Sequence, residues 1–326
     1  MKKLKYVILA LLAALLLLAA VNHRLTRTLY QNLTAPRLSL DQSGDWESGS
    51  ALRVYYGENT AQYVDLYVPD TAGKAAPPLF VLVHGGGFIS NDAQSRQAQF
   101  MYRYFRDRGF ACASVNYRLA QEAPYPGACD DVAAAVRFLA AHASAYGYDG
   151  EKIAIWGESA GGYLATREAL TETEVQISAL VSYYGAYDFE AFEPQFREQG
   201  IPKWIRTVAN YWSIGKLEGF ASCEEYWMRK AYSDWSEVEK REFSVQAIAE
   251  SGMANPELRV LLVAGTADIT VPPAQTLNLA AALEARYGAD AVSLILREGL
   301  GHADDRLYSE ELLAEVEAFL REALGA

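Results

Sequence analysis

Lys152-Ile153-Ala154-Ile155-Trp156-Gly157-Glu158-Ser159-Ala160-Gly161-Gly162-Tyr163-Leu164-Ala165 places one serine at the corner between two differently patterned runs. The run before it is short, apolar and preceded by the turn-like Tyr148-Asp149-Gly150, as expected of a strand buried on both faces. The run after it is compatible with a helix. Gly157 and Gly161 remove side chains where strand and helix would collide. The spacing Gly157-Glu158-Ser159-Ala160-Gly161 is that of a nucleophile elbow, which lifts a serine hydroxyl above the sheet edge. A plain glycine-rich turn can carry the same five residues by chance, so the chemistry depends on partners elsewhere in the chain.

Outward from this corner, apolar strands alternate with helical segments. Strand-like runs are Leu52–Tyr56, Tyr63–Val68, Leu79–Val83, Ala111–Val115, Ile153–Trp156, Ala179–Tyr183, Val260–Val263 and Val292–Leu296. The first two are separated by Gly57-Glu58-Asn59 and read as an antiparallel hairpin. Helical candidates cover about 93–108, 128–145, 160–170, 273–287 and 305–323. Strands separated by helices of this length imply an α/β domain over 51–326, with a mostly parallel sheet covered on both faces. Between Tyr184 and Val260 no comparable strand occurs, yet the stretch contains Trp204, Tyr211, Trp212, Tyr226, Trp227, Tyr232 and Trp235. That many large rings argue against disorder. The segment, about 187–255, is expected to be a helical lid; the alternative is a surface excursion whose aromatics pack on the body.

A serine nucleophile needs a base, and the chain has four histidines. His23 borders the N-terminal segment and His142 lies within a helical pattern. His302, in Glu298-Gly299-Leu300-Gly301-His302, follows the last strand, where the base of such an elbow is expected. Asp268 follows the penultimate strand and is the expected orienting carboxylate, with Glu298 as the alternative. Asp304 and Asp305 follow the histidine too closely and fit better as caps of the final helix. His84-Gly85-Gly86-Gly87-Phe88, directly after a strand, is an HGGG-type loop whose Gly86 and Gly87 amides should hold an oxyanion together with Ala160. His84 then serves to hold the loop's shape, and Arg118 with Asp130 or Asp131 to clamp the neighbouring loop.

With 29 basic and 41 acidic residues, the net charge of −12 argues against a nucleic-acid partner. Cys112, Cys129 and Cys223 form no C-x-x-C pair, which suggests buried apolar fillers rather than a disulfide framework or metal site. Residues 1–21 combine a basic start with an apolar run from Tyr6 to Val21, the pattern of an export signal or an uncleaved membrane anchor. An extracytoplasmic location follows, with 22–50 as a linker.

The ordered motifs HGGGF, NYRLAQEAPYPGACDD, GESAGG, GTADITVP and GLGH resemble the α/β-hydrolase superfamily. Within it they are close to hormone-sensitive-lipase-like esterases and BD-FAE-type acetyl and feruloyl esterases. Tyr56-Gly57 with Leu66-Tyr67-Val68-Pro69 is also similar to the first strands of BD-FAE-type esterases and kynurenine formamidases. Lipase-like relatives carry an N-terminal helical cap, whereas here 22–50 is short and the large insertion comes later. The resemblance implies a serine ester hydrolase of small-molecule esters with catalytic Ser159, Asp268 and His302 and no cofactor; the aromatic-rich segment, folded over the sheet edge, is expected to narrow the acyl pocket and favour short acyl chains. Amide hydrolysis, including that of arylformamides, is the alternative chemistry. A catalytically silent, membrane-tethered binding module is the alternative of another class.

Overall fold

Side chains alternate along the central strands so that each strand feeds two hydrophobic cores, one on either face of the sheet. In the computed structural model, which describes residues 51–70, 75–200 and 217–326, the first core takes Leu79, Val81 and Val83 and the second takes Phe80 and Leu82. The same alternation recurs at Ile153 and Ile155 against Ala154 and Trp156, and at Val260 and Leu262 against Leu261 and Val263. This two-sided burial is why these runs read as continuously apolar. The N-terminal 1–21 segment, the 22–50 linker, Trp204, Tyr211 and Trp212 lie outside the described residues.

The strands are β1 (Ala51–Tyr55), β2 (Tyr63–Tyr67), β3 (Pro78–Val83), β4 (Ala111–Asn116), β5 (Asp149–Glu158), β6 (Ile177–Tyr183), β7 (Arg259–Gly265) and β8 (Val292–Arg297). They form one sheet in the order β1-β2-β4-β3-β5-β6-β7-β8. β1 pairs antiparallel with β2, and β2 antiparallel with β4; from β4 onward the pairings are parallel. Helices α1 (Arg96–Arg106), α2 (Gly127–Tyr146) and α3 (Ala160–Thr171) come from the first half of the chain. The insertion supplies α4 (Phe192–Glu198), α5 (Cys223–Met228), α6 (Glu237–Phe243) and α7 (Val245–Ser251), and α8 (Pro273–Tyr287) and α9 (Glu310–Leu324) complete the chain. The first core lies beneath α2, α3, α8 and much of the insertion, and the second beneath α1 and α9.

Two helix starts differ from the sequence expectation because serines cap them. Ser95 accepts the Ala98 N–H and begins α1 three residues later than the apolar pattern suggests. Ser309 caps α9. Asp304 instead caps a short 3-10 turn over Asp305–Tyr308 and pairs with Arg306, while Asp305 pairs with Arg96. Tyr226, Trp227, Trp235 and Phe243 of the insertion join the main core, whereas Phe192 and Phe196 form a small separate cluster with Ala186 and Val271. Trp227 is fully buried against Phe88, Tyr163 and Phe243, and Trp235 packs on Phe243. Gln275 on α8 fastens the start of the insertion: its Oε1 accepts the Tyr187 and Asp188 amides and its Nε2 donates to the Asp188 carbonyl.

Candidate active site

The elbow is forced by close approach between strand and helix. A Cβ on Gly157 would lie 2.0 Å from the Gly161 carbonyl oxygen, and one on Gly161 would lie 2.2 Å from that of Val83. Ser159 itself takes φ 54° and ψ −121°, a strained backbone for an L-residue, held by its amide donating to the Tyr183 carbonyl at 2.9 Å. The strained turn leaves the Ser159 side chain partly exposed at the C-terminal end of β5, where α3 begins.

His302 and Asp268 reach this serine from the loops after β8 and β7. His302 Nε2 lies 3.0 Å from Ser159 Oγ, and His302 Nδ1 lies 2.7 Å from Asp268 Oδ2. Asp268 is 1% exposed, and its Oδ1 accepts the Thr270 and Val271 amides at 2.8 and 2.9 Å, which fixes the plane of the carboxylate. The two loops are laced together by Ala267 N–H to the Leu300 carbonyl, Thr266 N–H to the Arg297 carbonyl, and Gly299 N–H to Thr266 Oγ1. Glu298 is exposed, and the hydrogen-bond partner of the imidazole Nδ1 is Asp268. Burial opposes a proton on His302, but the Asp268 charge and hydrogen bond, aided by Glu158, outweigh it and raise the imidazole above its ordinary value.

The HGGG loop follows β3. Gly86 and Gly87 have φ 115° and 62°, and a Cβ on Gly86 would fall 2.2 Å from the Ser90 carbonyl oxygen. His84 holds this loop as its place suggested: Nδ1 lies 2.8 Å from the Gly85 carbonyl, and the ring stacks on Tyr117 at 4.2 Å. Burial pushes His84 down to about 4, which leaves it a neutral, structural imidazole at ordinary pH. Arg118 pairs with Asp131 rather than the exposed Asp130, and Asp131 also accepts the Arg118 amide and Gln62 Nε2. Ala160 is the first residue of α3, so its amide has no partner within the helix.

Two residues beyond the sequence expectation complete the surroundings. Glu158, 3% exposed, accepts the Gly85 amide at 2.8 Å, and the edge of the Tyr184 ring meets His302 with centroids 4.8 Å apart. The signal for Glu158 was a carboxylate ending an otherwise apolar strand. Tyr184 had none, because it becomes a neighbour of His302 only in three dimensions. Cys223 of the insertion also abuts the loop: a Cβ on Gly87 would lie 3.1 Å from its Sγ. The three cysteines are free, and among the described residues no group of His, Cys, Asp and Glu is placed to hold a metal ion.

A mostly parallel eight-stranded sheet with an antiparallel start, carrying a serine, a histidine and an aspartate on the loops at its C-terminal edge, defines the α/β-hydrolase class. The chain belongs to the BD-FAE family, whose model matches residues 64–283. It is 29% identical over 150 residues to esterase LipC of Mycobacterium tuberculosis, covering 42% of this chain and 37% of the relative. It is 31% identical over 142 residues to an acetyl esterase of Salmonella schwarzengrund, covering 41% of each. The matched stretches thus span less than half the length of these curated relatives. The fold is also that of a truncated carbohydrate esterase from gut microbiota, with TM-score 0.67 and 20% identity over 86% of this chain and 97% of the other. A bacterial heroin esterase superposes with TM-score 0.63 and 23% identity over 87% of both chains.

Proposed function

We propose that this protein is a serine carboxylic-ester hydrolase that acts on short-chain acyl esters through an acyl-enzyme. The observation that carries the reading is the unbroken hydrogen-bonded line from Ser159 Oγ through His302 to the buried Asp268. His302 Nε2 takes the hydroxyl proton as Ser159 Oγ bonds to the ester carbonyl carbon. The carbonyl oxygen becomes an oxyanion received by the amides of Gly86, Gly87 and Ala160. Collapse of this intermediate breaks the bond to the alcohol oxygen, which leaves with the proton from His302. Water then repeats the sequence on the acyl-enzyme, releasing the acid and free serine. Asp268 holds Nδ1–H and supports the imidazolium in both halves. Likeness to esterases and an acetyl esterase supports ester over amide chemistry and a short acyl group.

A fluorophosphonate probe together with p-nitrophenyl esters from acetyl to dodecanoyl tests the reading. The wild-type protein should be labelled and should favour acetyl to butyryl esters, and Ser159→Ala should lose both labelling and turnover while remaining folded. Absence of labelling and ester turnover in the folded wild-type protein would overturn it, and preference for dodecanoyl would remove the short-chain part. The basic and apolar pattern of residues 1–21 supports an extracytoplasmic site of action, tethered or released. Recovery of the full-length protein in the cytoplasmic fraction would refute that placement.

A further inference from the structure

Glu158 stands immediately before the nucleophile, buried at the end of β5. Its Oε1 accepts the Gly85 amide at 2.8 Å, and the Tyr184 hydroxyl is paired with that of Tyr308. Among the described residues no lysine or arginine forms an ion pair with it. A carboxylate held out of water without a permanent counter-ion is unfavourable. The cation whose charge acts on Glu158 is that of His302, formed when the imidazole takes the Ser159 proton or when the free enzyme is acidified. We propose that Glu158 is a positioning residue for both halves of the site, its hydrogen bond fixing the oxyanion loop through Gly85 and its charge sustaining the His302 imidazolium. This rests on the serine-hydrolase reading above.

The charge and the hydrogen bond are separable. Glutamine has the same shape and could still accept the Gly85 amide, so a residue serving only to hold the loop would tolerate it. Among the described residues, the groups acting on His302 are Asp268 from the loop after β7, Ser159 and Glu158 from the elbow, and Tyr184 just after β6. On the histidine's own loop, Asp304 is paired with Arg306 and Asp305 with Arg96. Glu158 additionally faces Tyr117 and Tyr308, both buried phenols held well above their ordinary titration range by burial. Burial raises the Glu158 carboxyl above its ordinary value, and when ionised its charge adds to that of Asp268 in favouring the imidazolium.

The decisive experiment is the pH profile of kcat/KM for wild type, Glu158→Gln and Glu158→Asp, each normalised to the fraction labelled by a fluorophosphonate. Glu158→Gln should lower kcat about ten-fold with KM changed less than about two-fold. Its acid limb should move down by about half a pH unit, because the imidazolium loses a supporting charge. Glu158→Asp should keep the wild-type acid limb but lose kcat, since the shortened carboxylate retains its charge and withdraws from Gly85. A Glu158→Gln enzyme with wild-type kcat and acid limb overturns the proposal. Should that variant fail to fold, Glu158→Asp decides alone, and wild-type kcat in it overturns the proposal equally. Failure of the wild-type protein to be labelled, or turnover by Ser159→Ala, would instead refute the underlying reading.

Discussion

Trp227 lies flat on Phe88, with ring centroids 4.0 Å apart and planes 14° from parallel, so a tryptophan of the insertion is stacked on the loop that carries Gly86 and Gly87. The contact continues through Tyr163 and Phe243 into the main core. Trp227→Ala should therefore cost about 3–5 kcal/mol of stability, the range for emptying a buried aromatic site. It should also lower kcat by freeing the loop proposed to hold the oxyanion. Urea unfolding with parallel ester kinetics checks both; an unchanged kcat in a destabilised variant would show that the stack supports the fold alone.

Asp268→Asn should reduce turnover by up to about 10⁴-fold, because an amide at this position favours the wrong imidazole tautomer. Glu298→Gln should be nearly silent, since that side chain is exposed and the imidazole's Nδ1 is bonded to Asp268 instead. Steady-state kinetics of the pair distinguishes the two carboxylates, and the reverse pattern would reassign the orienting acid.

In the proposed mechanism His302 must be neutral in the free enzyme, and its surroundings raise it above the ordinary histidine value of 6.5. Activity should therefore fall with acidification through a midpoint above 6.5, read from the pH dependence of kcat/KM. A midpoint well below 6 would contradict the support given by Asp268.

Burial, followed by the charge of Glu172 and a hydrogen bond with it, pushes the Glu168 carboxyl up to about 8 from an ordinary 4.5. A group that holds its proton more tightly when folded stabilises the fold fully below 4.5, and that contribution is lost as pH rises through about 8. Glu168→Gln, neutral throughout, should thus gain on the wild type as pH rises from below 4.5 to above about 8, by on the order of 5 kcal/mol. Urea midpoints at pH 5, 7 and 9 check this; a constant difference would place the ionisation elsewhere.

Local chain chemistry was sufficient for the elbow, the alternation of strands and helices, the antiparallel start and the chain order Ser159, Asp268, His302. Each depends on periodicity or on glycines at close approaches that a short stretch of sequence records. The hydrogen bonds at 3.0 and 2.7 Å that join these three residues span sequence separations of 143 and 34, and motif order could indicate them without supplying their geometry. Helix starts shifted where Ser95 and Ser309 capped better than the apolar pattern implied. The choice of Asp268 over Glu298, and of Asp131 over Asp130, was decided by which carboxylate the sheet and its loops turned inward. The same holds for Trp227 and Tyr184, whose neighbours Phe88 and His302 are brought to them only when the sheet, the insertion and the final loop pack together. Sequence specifies what each segment can become, whereas the burial and partners of a side chain depend on every element folded around it.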